Sequence, residues 1–392
     1  MPFLQITICK NIFMHIQRTL FRIALEKIGS GKAIIILGPR QSGKTTLLRE
    51  LEAKAGKRTR WLDCDVMEIR EALSTTNPER LRRLVADAEM LFIDEAQRVR
   101  DIGITLKIFT DQIKEVQLVV SGSSAFELSN IINEPLTGRK WEYLLLPIST
   151  EELVANNGFL EESMQLHNRM LYGMYPDVIN NPGREKELLS NLSINYLYKD
   201  IFSFQDVRKP ELLEKLLKGL ALQMGSEISF RELARFIESD QATVQRYLDL
   251  LEKAFIVFRH LSFSRNLRNE LKRSRKVYFY DNGIRNALIG NFQPLAMRTD
   301  VGALWENFMV SERIKRNRHH KLFRNEYFWR TTEQQEIDYI EEYDGRLFAY
   351  EFKWNPEKNV RAPKTFLNAY PEATFTAIHP KNYLEEFLLA PE

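Results

Sequence analysis

The stretch Ala33-Ile-Ile-Ile-Leu37-Gly38-Pro39-Arg40-Gln41-Ser42-Gly43-Lys44-Thr45-Thr46 decides the fold. Its first five residues are an unbroken apolar run rich in β-branched side chains, the pattern of a strand buried on both faces. Glycines at 38 and 43 follow, and the next segment reads as a helix to Ala55. Gly38 to Thr45 fits G-x-x-x-x-G-K-[ST] at every fixed position, between strand and helix as the motif requires. Glycines let backbone N–H groups turn inward around phosphate, and the helix N-terminus adds partial positive charge. The expectation is an ATP site contacted by Gly38 through Thr46, with Lys44 on the β- and γ-phosphates and Thr45 on magnesium.

Working outward, strands and helices alternate. A helix is expected over Ile16–Ile28, where Leu20, Ile23, Ala24 and Ile28 recur at helical spacing. Strands are expected at Arg60–Cys64, Met90–Ile93 and Gln117–Ser121, with helices between them. That order predicts an α/β fold, a parallel sheet covered on both faces, closing near Trp141–Leu146 with Pro147 as punctuation. Leu91-Phe-Ile-Asp94-Glu95 is a strand ending in two acids, the Walker B pattern. Asp94 is expected to hold magnesium through water and Glu95 to activate the attacking water. Ser121, in Ser121-Gly-Ser-Ser124, is a candidate for touching the γ-phosphate or that water. Arg139, in Leu136-Thr-Gly-Arg139, is a candidate for transition-state charge, in cis or at a neighbouring subunit; the other reading is a surface arginine.

Beyond Pro147 the pattern changes. Residues 149–220 read as helical, with breaks at Gly173 and Asn181-Pro-Gly183. Ser229 to Ile237, the turn Glu238-Ser-Asp240 and Gln241 to Lys253 read as a helix–turn–helix with Ser229 as a cap. Gln241, Thr243, Gln245 and Arg246 face outward on the second helix, a surface suited to a major groove, while Asp249 and Glu252 weigh against it. Arg265, Arg268, Lys272, Arg273, Arg275 and Lys276 follow, and residues 259–330 hold 16 Lys/Arg against six Asp/Glu, an excess suited to DNA phosphates. A protein-contact or lid module is the competing reading.

Near the C-terminus, Glu306, Asp338, Glu351 and Lys353 form an ordered set. Strand alternation puts Glu351 and Lys353 on one face with Phe352 opposite. The set resembles the PD-(D/E)xK nuclease arrangement, in which the acids bind magnesium and Lys353 helps activate water. The competing reading is an inactive nuclease-like fold or an ion-pair cluster. Trp354 reads as packing, and His319-His320 as a solvated basic loop.

The Gly-Pro-Arg-Gln-Ser-Gly-Lys-Thr loop, Ile-Asp-Glu-Ala-Gln, Ser-Gly-Ser-Ser and Leu-Thr-Gly-Arg together resemble a prokaryotic family of AAA-superfamily ATPases with a C-terminal domain of unknown function. Tyr172-Gly-Met-Tyr-Pro176, Tyr198-Lys-Asp200, Trp305-Glu306-Asn-Phe308 and Glu336-Ile-Asp338 extend the resemblance over nearly the whole chain from about Met14. It implies an AAA-type sheet of order 5-1-4-3-2, a middle winged-helix module and a C-terminal nuclease-like fold. The expected division is an extension at 1–13, the ATPase domain at 14–148, a helical segment at 149–220, a winged helix at 221–295 and the nuclease-like domain at 296–392. AAA-type sites often work between subunits, so a homo-oligomer is a candidate assembly.

The 392 residues carry a net charge of +3, with 44% hydrophobic and 28% charged residues, a globular composition. Cys9 and Cys64 alone exclude a disulfide framework, and no apolar run approaches the roughly 18 residues of a membrane span. Both point to a cytosolic protein without a membrane segment.

Overall fold

A computed structural model of the chain describes residues 15–123, 136–195, 209–263, 274–358 and 360–390. Cys9, Ser124, Tyr198–Asp200, Arg265, Arg268, Lys272 and Arg273 lie outside them.

Five strands form the first sheet: β1 (Ala33–Leu37), β2 (Thr59–Asp63), β3 (Met90–Asp94), β4 (Gln117–Gly122) and β5 (Lys140–Leu144). All pairings are parallel and the order is β2-β3-β4-β1-β5, the expected 5-1-4-3-2 read from the other edge. The apolar run of β1 explains its central place. Ala33, Ile35 and Leu37 enter one core and Ile34 and Ile36 the other. Helices α1 (Thr19–Leu25) and α2 (Lys44–Lys54) cover the second face through Leu20, Ala24, Leu47, Leu48 and Leu51. Helices α3 (Met67–Leu73), α4 (Pro78–Val85) and α5 (Ile102–Gln112) cover the first through Leu73, Leu81, Val85, Leu106 and Phe109. Asn77 starts α4 by accepting from the amides of Glu79 and Arg80.

The chain leaves this sheet through residues 145–149, and Ser149 and Glu152 form a reciprocal capping box on the helix Thr150–Asn157. The helices Phe230–Phe236 and Gln241–Lys253 lie where the helix–turn–helix is expected, capped by the side chains of Ser229 and Asp240.

A second sheet holds β6 (Val257–Ser262), β7 (Arg275–Phe279), β8 (Asn325–Arg330), β9 (Glu336–Tyr343), β10 (Arg346–Phe352) and β11 (Thr374–Ile378), in the order β11-β10-β9-β8-β6-β7. Parallel pairing of Leu261 with Tyr327 and Ser262 with Phe328 joins its two halves. The expected division at 295/296 therefore runs through one sheet. A single core also extends from Ile148 through Leu216, Tyr247 and Trp305 to Leu388.

The helix Val301–His319 runs through this core. Several of its charged residues are buried with partners: Glu312 with Lys315, and Arg313 with Glu341. This corrects the reading of His319-His320 as a solvated loop. His319 is the last helical residue and 2% exposed, and His320 bonds Glu151 at 2.8 Å. It also changes the meaning of the basic 259–330 stretch. Arg259, Lys276, Arg285, Arg298, Arg313, Lys315 and Arg324 all form ion pairs within the protein. A charge count cannot separate such cations from ones that face a partner.

Candidate nucleotide site and acidic cluster

The loop between β1 and α2 is shaped by close approaches. A Cβ on Gly38 would lie 2.1 Å from the Leu145 carbonyl oxygen, so no larger residue fits. Gln41 and Gly43 take left-handed backbone, with φ of 51° and 96°. The buried Lys44 ammonium donates to the carbonyls of Gly38 at 3.0 Å and Pro39 at 2.9 Å, which holds it over the loop. The Ser42 hydroxyl is buried without a hydrogen-bond partner in the same loop.

The parallel register places the end of β3 beside the start of α2. Thr45 Oγ1 donates to Asp94 Oδ2 at 2.8 Å, joining the two expected magnesium-holding residues. The Ser121 hydroxyl donates to the other oxygen, Asp94 Oδ1, and so helps to aim the carboxylate. Glu95 departs from the strand with φ 54° and ψ 40°, a left-handed conformation uncommon for a non-glycine residue. Its amide donates to Asp94 Oδ1 and Ser121 Oγ at 3.1 and 3.2 Å.

Two residues at this site escaped the sequence reading. Gln97 donates to Glu95 Oε2 at 2.6 Å and to Ser123 Oγ at 2.8 Å, tying the carboxylate to the end of β4. Its signal was its place two residues after Glu95, within the Ile-Asp-Glu-Ala-Gln segment. Arg18 is 5% exposed and donates to the carbonyls of Ser42 at 2.6 Å and Leu146 at 2.7 Å and to Glu152 Oε1 at 3.1 Å. Burial alone would raise the Glu152 pKa. Arg18, with His319 and the amides of Ser149 and Thr19, instead holds it at about 2. No local motif marks Arg18, because its partners lie up to 134 residues away. Cys64, at the end of β2, is a buried free thiol pushed up to about 12 by burial and by Asp63 and Asp94.

Arg139 is not brought to the cradle. Its carbonyl accepts from Ala33 N, at the start of β1, and its guanidinium pairs with Asp111 at 2.6 Å. Gly38 lies five residues further along, about 16 Å at ~3.3 Å per residue. In cis, Arg139 therefore sits at the wrong end of the sheet.

In the second sheet Glu306, Asp338, Glu351 and Lys353 do converge. Asp338 Oδ2 accepts from Phe352 N at 2.8 Å, and Lys353 pairs with Glu351 and, at 3.9 Å, with Asp338. The structure adds Lys276 and Tyr278 from β7. Lys276, 1% exposed, binds Glu306 at 2.8 Å and also Glu336, while the Tyr278 hydroxyl donates to Glu306 at 2.6 Å. Burial, then Glu306 and Glu351, push the Asp338 carboxyl well above its ordinary range. Burial opposes the Lys276 charge, but Tyr278, Glu306, Asp338 and Glu336 outweigh it and raise its pKa. Ammonium groups thus face these carboxylates. Among the described residues no group of three or more His, Cys, Asp or Glu is arranged to hold a metal ion; Glu306, Asp338 and Glu351 stand here as carboxylates facing Lys276 and Lys353.

The first sheet, its order and the loop at its centre define an AAA-type P-loop ATPase fold. Residues 30–154 match the family described as AAA domain, and residues 163–295 and 301–385 match two domains of unknown function, DUF8612 and DUF4143. The chain thus carries an AAA-superfamily ATPase domain with a C-terminal DUF4143 domain. An uncharacterised protein of Mycobacterium tuberculosis is 28% identical over 82% of this chain and 70% of its own length. One of Haemophilus influenzae is 25% identical over 65% of this chain and 69% of its own. The Walker-type ATPase of Pyrococcus abyssi, 15% identical, superposes with a TM-score of 0.50 over 70% of this chain and 96% of that one, a likeness of fold.

Proposed function

We propose that this chain binds ATP with magnesium at Gly38–Thr46 and hydrolyses it. The Thr45–Asp94 contact carries the reading, because it joins the two halves of a metal-nucleotide site at hydrogen-bond distance. The residues suit the group: a cradle closed to any Cβ at Gly38, a buried ammonium at Lys44 and a buried unpartnered hydroxyl at Ser42. Magnesium, when bound, neutralises charge on the phosphates. Lys44 positions the phosphates, Thr45 and Asp94 hold the ion, and Glu95 takes the proton of the attacking water. The test is turnover in Glu95→Gln. Loss of hydrolysis with ATP binding retained supports the assignment, and normal hydrolysis removes it.

The same reading couples turnover to DNA through a winged helix built on Gln241–Lys253. Support comes from Arg259, which binds both Asp249 and Glu252 and removes the repulsion those acids would present. Gln241, Gln245 and Arg246 remain exposed on the outer face. DNA-stimulated ATPase activity tests it. In a homo-oligomer Arg139 would act on a neighbour's site.

A second reading concerns the C-terminal cluster: a nuclease-like fold that binds without cutting. The buried Lys276 ammonium between Glu306 and Glu336 favours it, since a cation is already built in. Magnesium- or manganese-dependent DNA nicking that Asp338→Ala abolishes would remove this reading.

A further inference from the structure

We propose that the rim of the edge strand β5 around Trp141, together with the exposed Phe323, is a binding surface for single-stranded nucleic acid. Trp141 and Tyr143 stand two residues apart on β5 and so share one face, with Tyr143 buried against the core under α1 and α2 and Trp141 half-buried at its margin. Three lysines from two separate segments converge on them. The ammonium groups of Lys27, Lys32 and Lys321 lie 5.0, 4.6 and 5.6 Å from the centre of the Trp141 ring, and Lys321 is also 4.4 Å from that of Tyr143. Lys27 follows α1, Lys32 precedes β1, and Lys321 follows the helix Val301–His319, so the cluster exists only in the folded chain.

Like charges crowded this way repel. Burial first, and then Lys27, lower the pKa of Lys321, with Glu26 opposing; Glu142 is engaged by Lys140. Lys321 also holds a left-handed backbone, with φ of 54°. A surface that keeps three cations together in this way suits a polyanion. A cavity of about 490 Å³ continues from Tyr143 past Arg318 and Lys321 to Phe323, a residue that is 97% exposed. Arg318 and Lys321 are the outward cations of a stretch whose other described basic residues are largely turned inward to ion pairs.

Aromatic faces interleaved with ammonium groups match bases that stack and phosphates that pair. A duplex keeps its base faces stacked away from Trp141 and Phe323, and an acidic peptide would leave those rings unused. The surface deepens the nucleic-acid half of the reading above, and it does not require ATP turnover. Binding without turnover, or turnover without binding, therefore separates the two.

The experiment is fluorescence anisotropy of a labelled thymidine oligonucleotide with the full chain across a salt series, alongside a duplex of equal length and polyglutamate as competitor. Single-strand binding is expected to weaken with salt. The Lys27→Gln/Lys32→Gln/Lys321→Gln variant should bind at least about tenfold more weakly near 100 mM salt and lose about 2 from the log–log salt slope, at roughly 0.7 per phosphate contact. Phe323→Ala, at a position too exposed to disturb the core, should also weaken binding, while Lys44→Ala should not. No binding by the parent, or a triple variant within about twofold of it, overturns the proposal. Equal or tighter binding of the duplex, or efficient competition by polyglutamate, overturns the single-strand assignment.

Discussion

The side-chain amide of Gln97 lies 2.6 Å from the Glu95 carboxylate and 2.8 Å from the Ser123 hydroxyl, so the proposed base is fixed to two neighbouring strand ends. Glu95 itself sits in left-handed backbone, with φ of 54°. Gln97→Ala is predicted to lower kcat by about ten- to a hundredfold, the effect of a misplaced reacting group, with little change in the KM for ATP. Glu95→Gln should cost about a hundredfold or more. Steady-state kinetics of both variants check this; a Gln97→Ala effect confined to KM would contradict it.

Glu152 predicts an acid-sensitive join between the two parts of the chain. Its folded pKa is depressed to about 2 from 4.5, so its contribution is complete above the unfolded value and disappears as pH falls from about 4.5 to 2. The shift corresponds to roughly 3 kcal/mol. Thermal melts should show Glu152→Gln less stable than the parent at pH 7, with the gap closing by pH 2 to 3. A gap independent of pH would mean that packing, rather than the Arg18 pairing, is what the variant loses.

Asp338 has the opposite sign. Its raised folded pKa means that ionisation is penalised in the fold, so its cost grows as pH rises from about 4. Asp338→Asn is predicted to be at least as stable as the parent at pH 7 to 8. Lys276→Met, which leaves the half-buried Glu306 and Glu336 without their buried cation, should lose about 3 kcal/mol. Chemical denaturation of the two variants separates these outcomes.

Arg139 offers a test of assembly. Because it lies at the far end of β1 from the cradle, Arg139→Ala is expected to leave ATP affinity unchanged. A loss of turnover that depends on protein concentration, and that a Lys44→Ala partner carrying Arg139 restores, would place it at a neighbour's site. A concentration-independent loss of ATP binding would contradict the geometry.

The candidate nucleotide site was legible because its residues are written contiguously. The strand, the glycine loop and the first helical turn of α2 lie within Ala33 to Thr46, and the acids at 94 and 95 end a strand whose apolar run is plain. Arg18 and Lys276 were not legible, since each draws its role from partners that only the fold supplies. The helix Val301–His319 misled for a related reason. Its basic residues count toward an excess suited to phosphates, yet Arg313 and Lys315 are buried against Glu341 and Glu312. The sheet shared across 295/296 rests on two residue pairs between β6 and β8, too short a pairing for any periodicity to announce.

That helix also constrains how the chain can vary. Near its start Glu306 receives Lys276 and Tyr278; further along, Glu312 and Lys315 grip Thr150 N and Ile148 O at 2.6 and 3.0 Å; at its end His319 lies beside Glu152 and Arg18. These stations span about 20 Å of a helix that turns about 100° per residue. Inserting or deleting one residue between Glu306 and Glu312 would swing one set of contacts a quarter-turn out of phase with the other. Substitutions along this rod can be absorbed one at a time, but its length cannot drift, and relatives that keep both ends are bound to the same count of residues between them.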